Sequence, residues 1–491
     1  MEVSDISLNE LHATAEHDAR EAGFVTEFPE HVLREAREVA GRSRQIIAQA
    51  PARNLTDLPW SSIDNSESRD LDQVEYAERL PDDSIRLLIG IADVDAFVPK
   101  ESAVDRHARA NTVSVYTPGK VFPLLPEQLS NDTTSLLEGE ERLAVVTEMI
   151  VASDFEVGEV NIYRAVIRNR AKLIYERVGK WLDGDAPVPP EVARLDGMEA
   201  QLRLQEEASE RLRVLRLRKG ALELETRETA PVVVGGKLVE LKTRERTRAQ
   251  DVIENFMIAA NTAMAEFLES EGVASLRRVV REPERWPRIV DIAARFGERL
   301  PSRANSLALA TFLSRRRTAD PARYAELSLS ILKLMGAGDY LVETPDADQD
   351  GHFGLAIEDY THSTAPNRRY ADLVTQRSVK SQIAGEPAPY TVEELRAVAA
   401  RCNLMESAAR GVERRMLKCA TALLVGEMVG EVFEGIVTGV KAKGTFVKLN
   451  APPLEGKVVA GASGLDVGDR VRVRLLSADA RRGFIDFARA E

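Results

Sequence analysis

Apolar residues recur along the chain at two different periods, and the changes of period divide it. To about residue 45 the sequence is polar with helical spacing. Behind Phe28-Pro29-Glu30, the residues Val32, Leu33, Ala36, Val39 and Ala40 predict an amphipathic helix with a proline in its first turn. From Ile63 onward come short runs rich in β-branched and apolar residues: Ile85 to Ile91, Val113 to Tyr116 and Leu143 to Ile150. Asp, Pro or Gly lies close to each, so they read as strands. Asp183 to Pro190 reads as a loop, followed by a charged helix with a basic last turn, Arg216 to Lys219, and a C-cap at Gly220. Asp251 to Phe267 places Ile253, Phe256, Met257, Ala260 and Met264 on one helical face, and Val392 to Val429 is helical almost throughout. At Gly430 the pattern changes again. Valines alternate with glycines and polar residues in Glu434 to Val437, Gly444 to Leu449 and Val471 to Leu475, which predicts a small closed barrel of the OB type. The expected fold class is mixed α+β, with a small, mainly helical N-terminal region and a C-terminal β-barrel.

Length adds a bound on domain number: 491 residues suggest two to four domains of roughly 100–200 residues each. No apolar stretch approaches bilayer length. The N-terminus, with Glu2, Asp5 and Glu10, lacks the basic and apolar regions of a signal peptide, so a cytoplasmic location is expected. Two cysteines, Cys402 and Cys419, both in the predicted long helix, exclude a disulfide framework and a thiolate zinc site. Six histidines include no i, i+4 pair, so any catalytic metal is held by oxygen. A net charge of −13 argues against nucleic acid as a ligand only if charge is spread evenly. A chain that holds cations with carboxylates can be acidic overall and still line one channel with arginines.

Three constellations carry candidate chemistry. In Asp64-Asn65-Ser66-Glu67-Ser68-Arg69-Asp70-Leu71-Asp72-Gln73, an extended chain points Asp70 and Asp72 to one side, and the polar loop can fold Asp64 onto them. Converging carboxylates repel unless hard cations sit between them, and Mg²⁺ is commonly held by a few carboxylates plus phosphate and water. The plain alternative is a solvated acidic loop; the missing turn glycine excludes a calcium loop. The second constellation is His352-Phe353-Gly354-Leu355 followed by Tyr360 to Asp372. Here Pro366 is expected to open a helix whose first turn holds Arg368 and Arg369. Cations there oppose the macrodipole, which makes sense if a phosphate completes the site; otherwise this is a surface helix with solvated arginines. The third, Tyr116-Thr117-Pro118-Gly119-Lys120, puts a tyrosine at a strand end, either packed or offered for base stacking worth about 1–3 kcal/mol per base.

Taken in order, these motifs resemble the catalytic domain of the ribonuclease II (RNB) family. The residues concerned are Asp64-x5-Asp70-x-Asp72, Leu88 to Val94, Tyr116-x-Pro118-Gly119 with Leu124-Leu125-Pro126 and Leu129-Ser130, Ile253 to Asn261, His352 to Leu355, and Pro366-x-Arg368-Arg369-Tyr370-x-Asp372. The final barrel resembles an S1 domain. The resemblance implies a helical region at 1–48, an RNB catalytic domain at 49–395, a helical segment closing it at 396–429 and an S1/OB-fold RNA-binding domain at 430–491. It further implies processive hydrolysis of single-stranded RNA from the 3′ end to nucleoside 5′-monophosphates, with Mg²⁺, or alternatively Mn²⁺, as cofactor and no obligate protein partner or membrane. By the same resemblance Asp64, Asp70, Asp72 and Gln73 form the metal site and Tyr116 stacks on the 3′-terminal base. Arg368 holds the scissile phosphate beside Arg369, and Lys441, Lys443, Phe446 and Lys448 of the barrel grip RNA.

The sequence departs from that family at four places. Gln73 stands where a fourth aspartate is usual, and Ala365 and Asn367 flank Pro366 in place of serine and isoleucine. Leu222 or Leu224 replaces an RNA-sandwiching aromatic, and two cold-shock barrels do not fit before Asp64. Because of Gln73, the alternative reading is a catalytically impaired relative that binds RNA.

Overall fold

Six strands, Arg53–Asn54, Trp60–Asp64, Gln73–Arg79, Ile85–Ala92, Glu141–Val151 and Val157–Ile174, form the central sheet. The last is long enough to serve two partners. Its first part runs antiparallel to Glu141–Val151 and its final residues run parallel to Trp60–Asp64, so the sheet curls back on itself. The computed structural model describes residues 8–490 apart from 226–227, 235–236, 245, 346–350, 442–443 and 450. Lys443 and the side chain of Lys441 therefore lie outside the described residues.

Leu87 to Ile91 is apolar without alternation because both faces of the sheet are covered. Leu88 turns with Val74 and Trp60 toward the helices Glu30–Gly41, Ala103–Asn111 and Tyr370–Ile383. Leu87, Ile89 and Ile91 turn with Ala77 toward Met198–Lys219 and Arg248–Ser270, where they meet Leu212 and Phe256. The charged helix ends at the expected Gly220, whose φ of 101° favours glycine and where a Cβ would meet the backbone of Leu307 at 2.8 Å. Arg248–Ser270 and Val392–Val425 open with capping boxes, Thr247 with Gln250 and Thr391 with Glu394.

Before Arg53 the described elements are three helices, Leu8–Glu21, Glu30–Gly41 and Ser43–Gln49. The 34-residue helix Val392–Val425 packs against the first of these through Met405, Ala409 and Met416. It then reaches the closed five-stranded barrel of Val432–Lys441, Gly444–Leu449, Glu455–Ala460, Arg470–Asp479 and Phe484–Arg489 through Ala422 and Val425. Among the described residues no helix is long and apolar enough to cross a membrane.

Helix Tyr370–Ile383 is anchored by a buried ionic network. The Arg377 guanidinium donates to Asp95 (2.9 Å), Asp105 (2.7 Å), the Tyr390 hydroxyl (2.7 Å) and the Val98 carbonyl (2.6 Å). Lys380 donates to Asp93 and Asp95 at 2.6 Å each. Removing one member leaves buried charge uncompensated, at a typical cost of about 3–5 kcal/mol. Arg377→Met is therefore expected to lower the thermal unfolding midpoint by about 5 °C. A midpoint shift within experimental error, measured by differential scanning calorimetry, contradicts this role for the network.

Candidate active site

The acidic segment is held by its backbone before any side chain is considered. Ser135 accepts from the Leu71 N–H (3.0 Å) and donates to the Arg69 carbonyl (2.6 Å), and the Ala92 N–H donates to the Asp72 carbonyl (2.9 Å). This leaves Asp72 at the edge of strand Gln73–Arg79, with 3% of its surface exposed. Its carboxylate accepts from the Asn367 N–H (3.1 Å), and the Arg368 guanidinium lies at 3.5 Å. Asp64, at the end of Trp60–Asp64, accepts from the Asn65 N–H (2.7 Å) and the Ser68 hydroxyl (2.6 Å). The Tyr116 hydroxyl approaches Asp70 at 3.5 Å, while 43% of Tyr116 remains exposed. The Gln73 side-chain amide nitrogen donates to the Ile63 carbonyl (3.3 Å), which leaves oxygen as the atom it can offer a cation.

The helix expected to begin at Pro366 begins instead at Tyr370. Residues 365–368 form a turn, and the chain after it is captured in extended form by the 112–114 segment. Arg369 bridges to Val113, the Ser114 N–H donates to the Arg368 carbonyl (3.0 Å), and the Tyr370 N–H donates to the Thr112 carbonyl (2.8 Å). Arg368 thus stands just outside the helix, with its side chain half-exposed beside Asp72. Arg369 turns inward to pair with Asp372 (2.8 Å), and Asp372 also accepts from the Ala365 N–H (2.8 Å). Asn367 accepts from the Thr134 hydroxyl (2.6 Å).

Electrostatically the site is short of positive charge. Burial first, and then the charge of Asp70, push the Asp72 carboxyl up to about 7, against the pull of Arg368 and the Asn367 N–H. Burial and Asp64 likewise raise Asp70. Glu75, to which nothing in the local spacing of the sequence points, is wholly buried, and burial and then Asp64 hold its carboxyl well above the usual range. All candidate donors are oxygens, and two of them belong to an orphaned buried carboxylate, so the set suits a hard divalent cation. The ligand oxygens of Asp64, Asp70 and Asp72 do not all lie within 4.8 Å of one another.

Among the described residues one other group does meet that spacing: Glu269, Glu343 and Asp359, which could hold a divalent cation. They come from a helix, a strand and a loop far apart in sequence, so no spacing announces them. Arg277 already pairs with Glu343 and Asp359. Leu222 and Leu224 pack partly buried beside Trp286, Phe312 and Ile331. On the barrel, Phe446 and Lys448 share the outer face of Gly444–Leu449, Phe446 half-buried and Lys448 exposed.

This arrangement joins with a match to the RNB domain over residues 52–385 and to the RNase II-type exonuclease C-terminal S1 domain over residues 431–490. The chain belongs to the RNB family. Ribonuclease R 1 of Lactococcus lactis is 29% identical over 94% of this chain and 59% of its own length. Ribonuclease R of Escherichia coli K12 is 30% identical over 92% and 59%. The chain thus spans about six-tenths of those relatives. Its fold is shared with Mycoplasma genitalium RNase R in complex with ribose-methylated single-stranded RNA, at TM-score 0.87 and 23% identity over 98% of this chain and 78% of that one. It is also shared with yeast Ssd1, a pseudonuclease, at TM-score 0.67 and 20% identity over 86% and 52%.

A pH dependence follows for the metal-free RNB site. Because the folded Asp72 carboxyl titrates near 7 and an unfolded one near 4, the folded state binds the proton more tightly. Its stability contribution is complete below about pH 4 and is lost as pH rises through about 7. In the presence of a chelator, Asp72→Asn should melt above wild type at pH 8, with the gap closing toward pH 4. A variant that melts below wild type at pH 8 contradicts this electrostatic picture.

Proposed function

We propose that this chain is a hydrolytic 3′→5′ exoribonuclease that processively degrades single-stranded RNA to nucleoside 5′-monophosphates, and that it works in the cytoplasm. The observation that carries the reading is a half-exposed tyrosine ring and a half-exposed guanidinium converging on the half-buried Asp70 and the buried Asp72. The names of the relatives and the RNA bound by the Mycoplasma protein support it.

Each residue then has a task that its surroundings allow. Tyr116, tethered by its hydroxyl to Asp70 and by its N–H to Glu413 (2.9 Å), offers an open face on which the terminal base stacks. Arg368 lies within 3.5 Å of Asp72 and is exposed enough to hold the scissile phosphate and the charge that grows on it. Asp64, Asp70, Asp72 and the Gln73 amide oxygen hold the cation. Mg²⁺, or Mn²⁺, which tolerates mixed ligands, supplies activation of water and relief of charge on the departing oxygen when bound. Contacts to 2′-hydroxyls set RNA apart from DNA. Phe446 and Lys448, with Lys441 and Lys443, lend the barrel's grip on the strand.

Asp72→Asn should remove turnover of labelled RNA by more than the roughly 100-fold that loss of a partner behind a metal ligand costs, while RNA affinity, spread along a channel and the barrel, changes little. Substantial residual turnover rules out Asp72 as a metal-site residue.

The competing reading, an impaired relative that binds RNA without cleaving it, is favoured by Gln73, which removes one full charge from the site, and by the likeness to a pseudonuclease. Gln73→Asp separates the two. An active wild type whose metal titration shifts to lower Mg²⁺ in the variant, with a similar saturated rate, supports the exonuclease. A wild type silent at every metal concentration and switched on by the substitution establishes the impaired relative.

A further inference from the structure

Glu75 follows Gln73 by two residues on strand Gln73–Arg79, so the two side chains share a face of the sheet. It is completely buried, and neither carboxylate oxygen has a hydrogen-bond partner. Buried carboxylates without compensation are costly, and in native proteins they are paired, hydrogen-bonded or bound to metal.

The protein offers Glu75 little. Ser61 lies opposite it across the strand pair. Gln205, from helix Met198–Lys219, spends its amide nitrogen on Ser61 (3.4 Å) and on the backbone carbonyl of Glu75 (3.3 Å), and its own oxygen is unpartnered. Tyr175, at the start of helix Tyr175–Leu182, lies in the field of both Glu75 and Asp64. Neither a lysine nor an arginine forms an ion pair with Glu75 among the described residues, in contrast to the paired Asp93, Asp95 and Asp105 on the other side of the sheet. Strand Trp60–Asp64, which sets Ser61 opposite Glu75, ends at Asp64, and the Gln73 side chain on the same face as Glu75 reaches the Ile63 carbonyl beside it (3.3 Å), so the positive charge that suits this carboxylate is a cation seated at Asp64.

We propose that Glu75 supplies the anionic oxygen that Gln73 lacks, as the charge-balancing carboxylate of the divalent-cation site at Asp64. The inference rests on the reading of Asp64, Asp70 and Asp72 as a cation site. A glutamate is one methylene longer than an aspartate, so a carboxylate rooted one pleat farther along the strand recovers part of the distance. The waters that Mg²⁺ retains can span what is left. Gln73 and Glu75 then act together, the amide giving a neutral oxygen and the acid giving charge.

Mn²⁺ binding to the full-length protein, followed by the loss of the free-ion electron paramagnetic resonance signal, tests this without reference to turnover. Glu75→Gln is expected to weaken Mn²⁺ binding by about 10-fold or more. Gln73→Asp added to Glu75→Gln is expected to restore it, which a packing role for Glu75 does not provide. Glu75→Leu puts an apolar side chain in a fully buried position, folds even where the amide variant does not, and should show the same loss. Wild-type affinity in Glu75→Gln or Glu75→Leu overturns the role of Glu75 and leaves the cation site standing. A wild type that binds no Mn²⁺ overturns the site itself.

Discussion

Burial of negative charge at one edge of an apolar sheet is the constraint around which this molecule is built. On one side the charge is answered. Burial alone would raise the Asp93 carboxyl, yet Lys380 and Arg164 outweigh it and hold that group below its usual range. At the neighbouring edge the same burial outweighs the pull of Arg368, and Asp70, Asp72 and Glu75 are all raised. The two clusters share one end of the sheet, where Gln73 pairs with Ile91. What separates them is the supply of lysine and arginine: the raised cluster has Arg368, 3.5 Å from Asp72, and lies beside Tyr116.

That imbalance persists because the backbone around it is over-determined. Ser135, Ala92 and Asn367 fix the acidic segment, and the bridge from Val113 to Arg369 fixes the turn that presents Arg368. Behind them Arg377 ties helix Tyr370–Ile383 to three other segments. Rigid support for a strained electrostatic centre is what the proposed site for a cation and a phosphate would require.

Much of this was legible in the sequence where local rules govern. The strand at Ile85, the Gly220 cap, the long C-terminal helix and the glycine-bent barrel follow from periodicity and turn chemistry, and each has its counterpart in the structure. Asp72, Tyr116 and Arg368 stand in order along the chain and meet in space. The reading failed at Pro366, where a proline suited to opening a helix is overruled by backbone pairing to a segment some 250 residues earlier. Glu75 was illegible for a related reason. A glutamate in a strand reads as a solvent-facing position until the helices covering both faces are in place. Glu269, Glu343 and Asp359 are gathered only by tertiary contact.

Between the two readings of this RNB chain, one measurement decides most directly: incubation of the wild-type protein with 5′-labelled single-stranded RNA and Mg²⁺. A 3′-directed hydrolytic exonuclease converts the strand to a short labelled end while nucleoside 5′-monophosphates accumulate. Labelled RNA that is retained on the protein but keeps its full length, at every Mg²⁺ concentration, contradicts it.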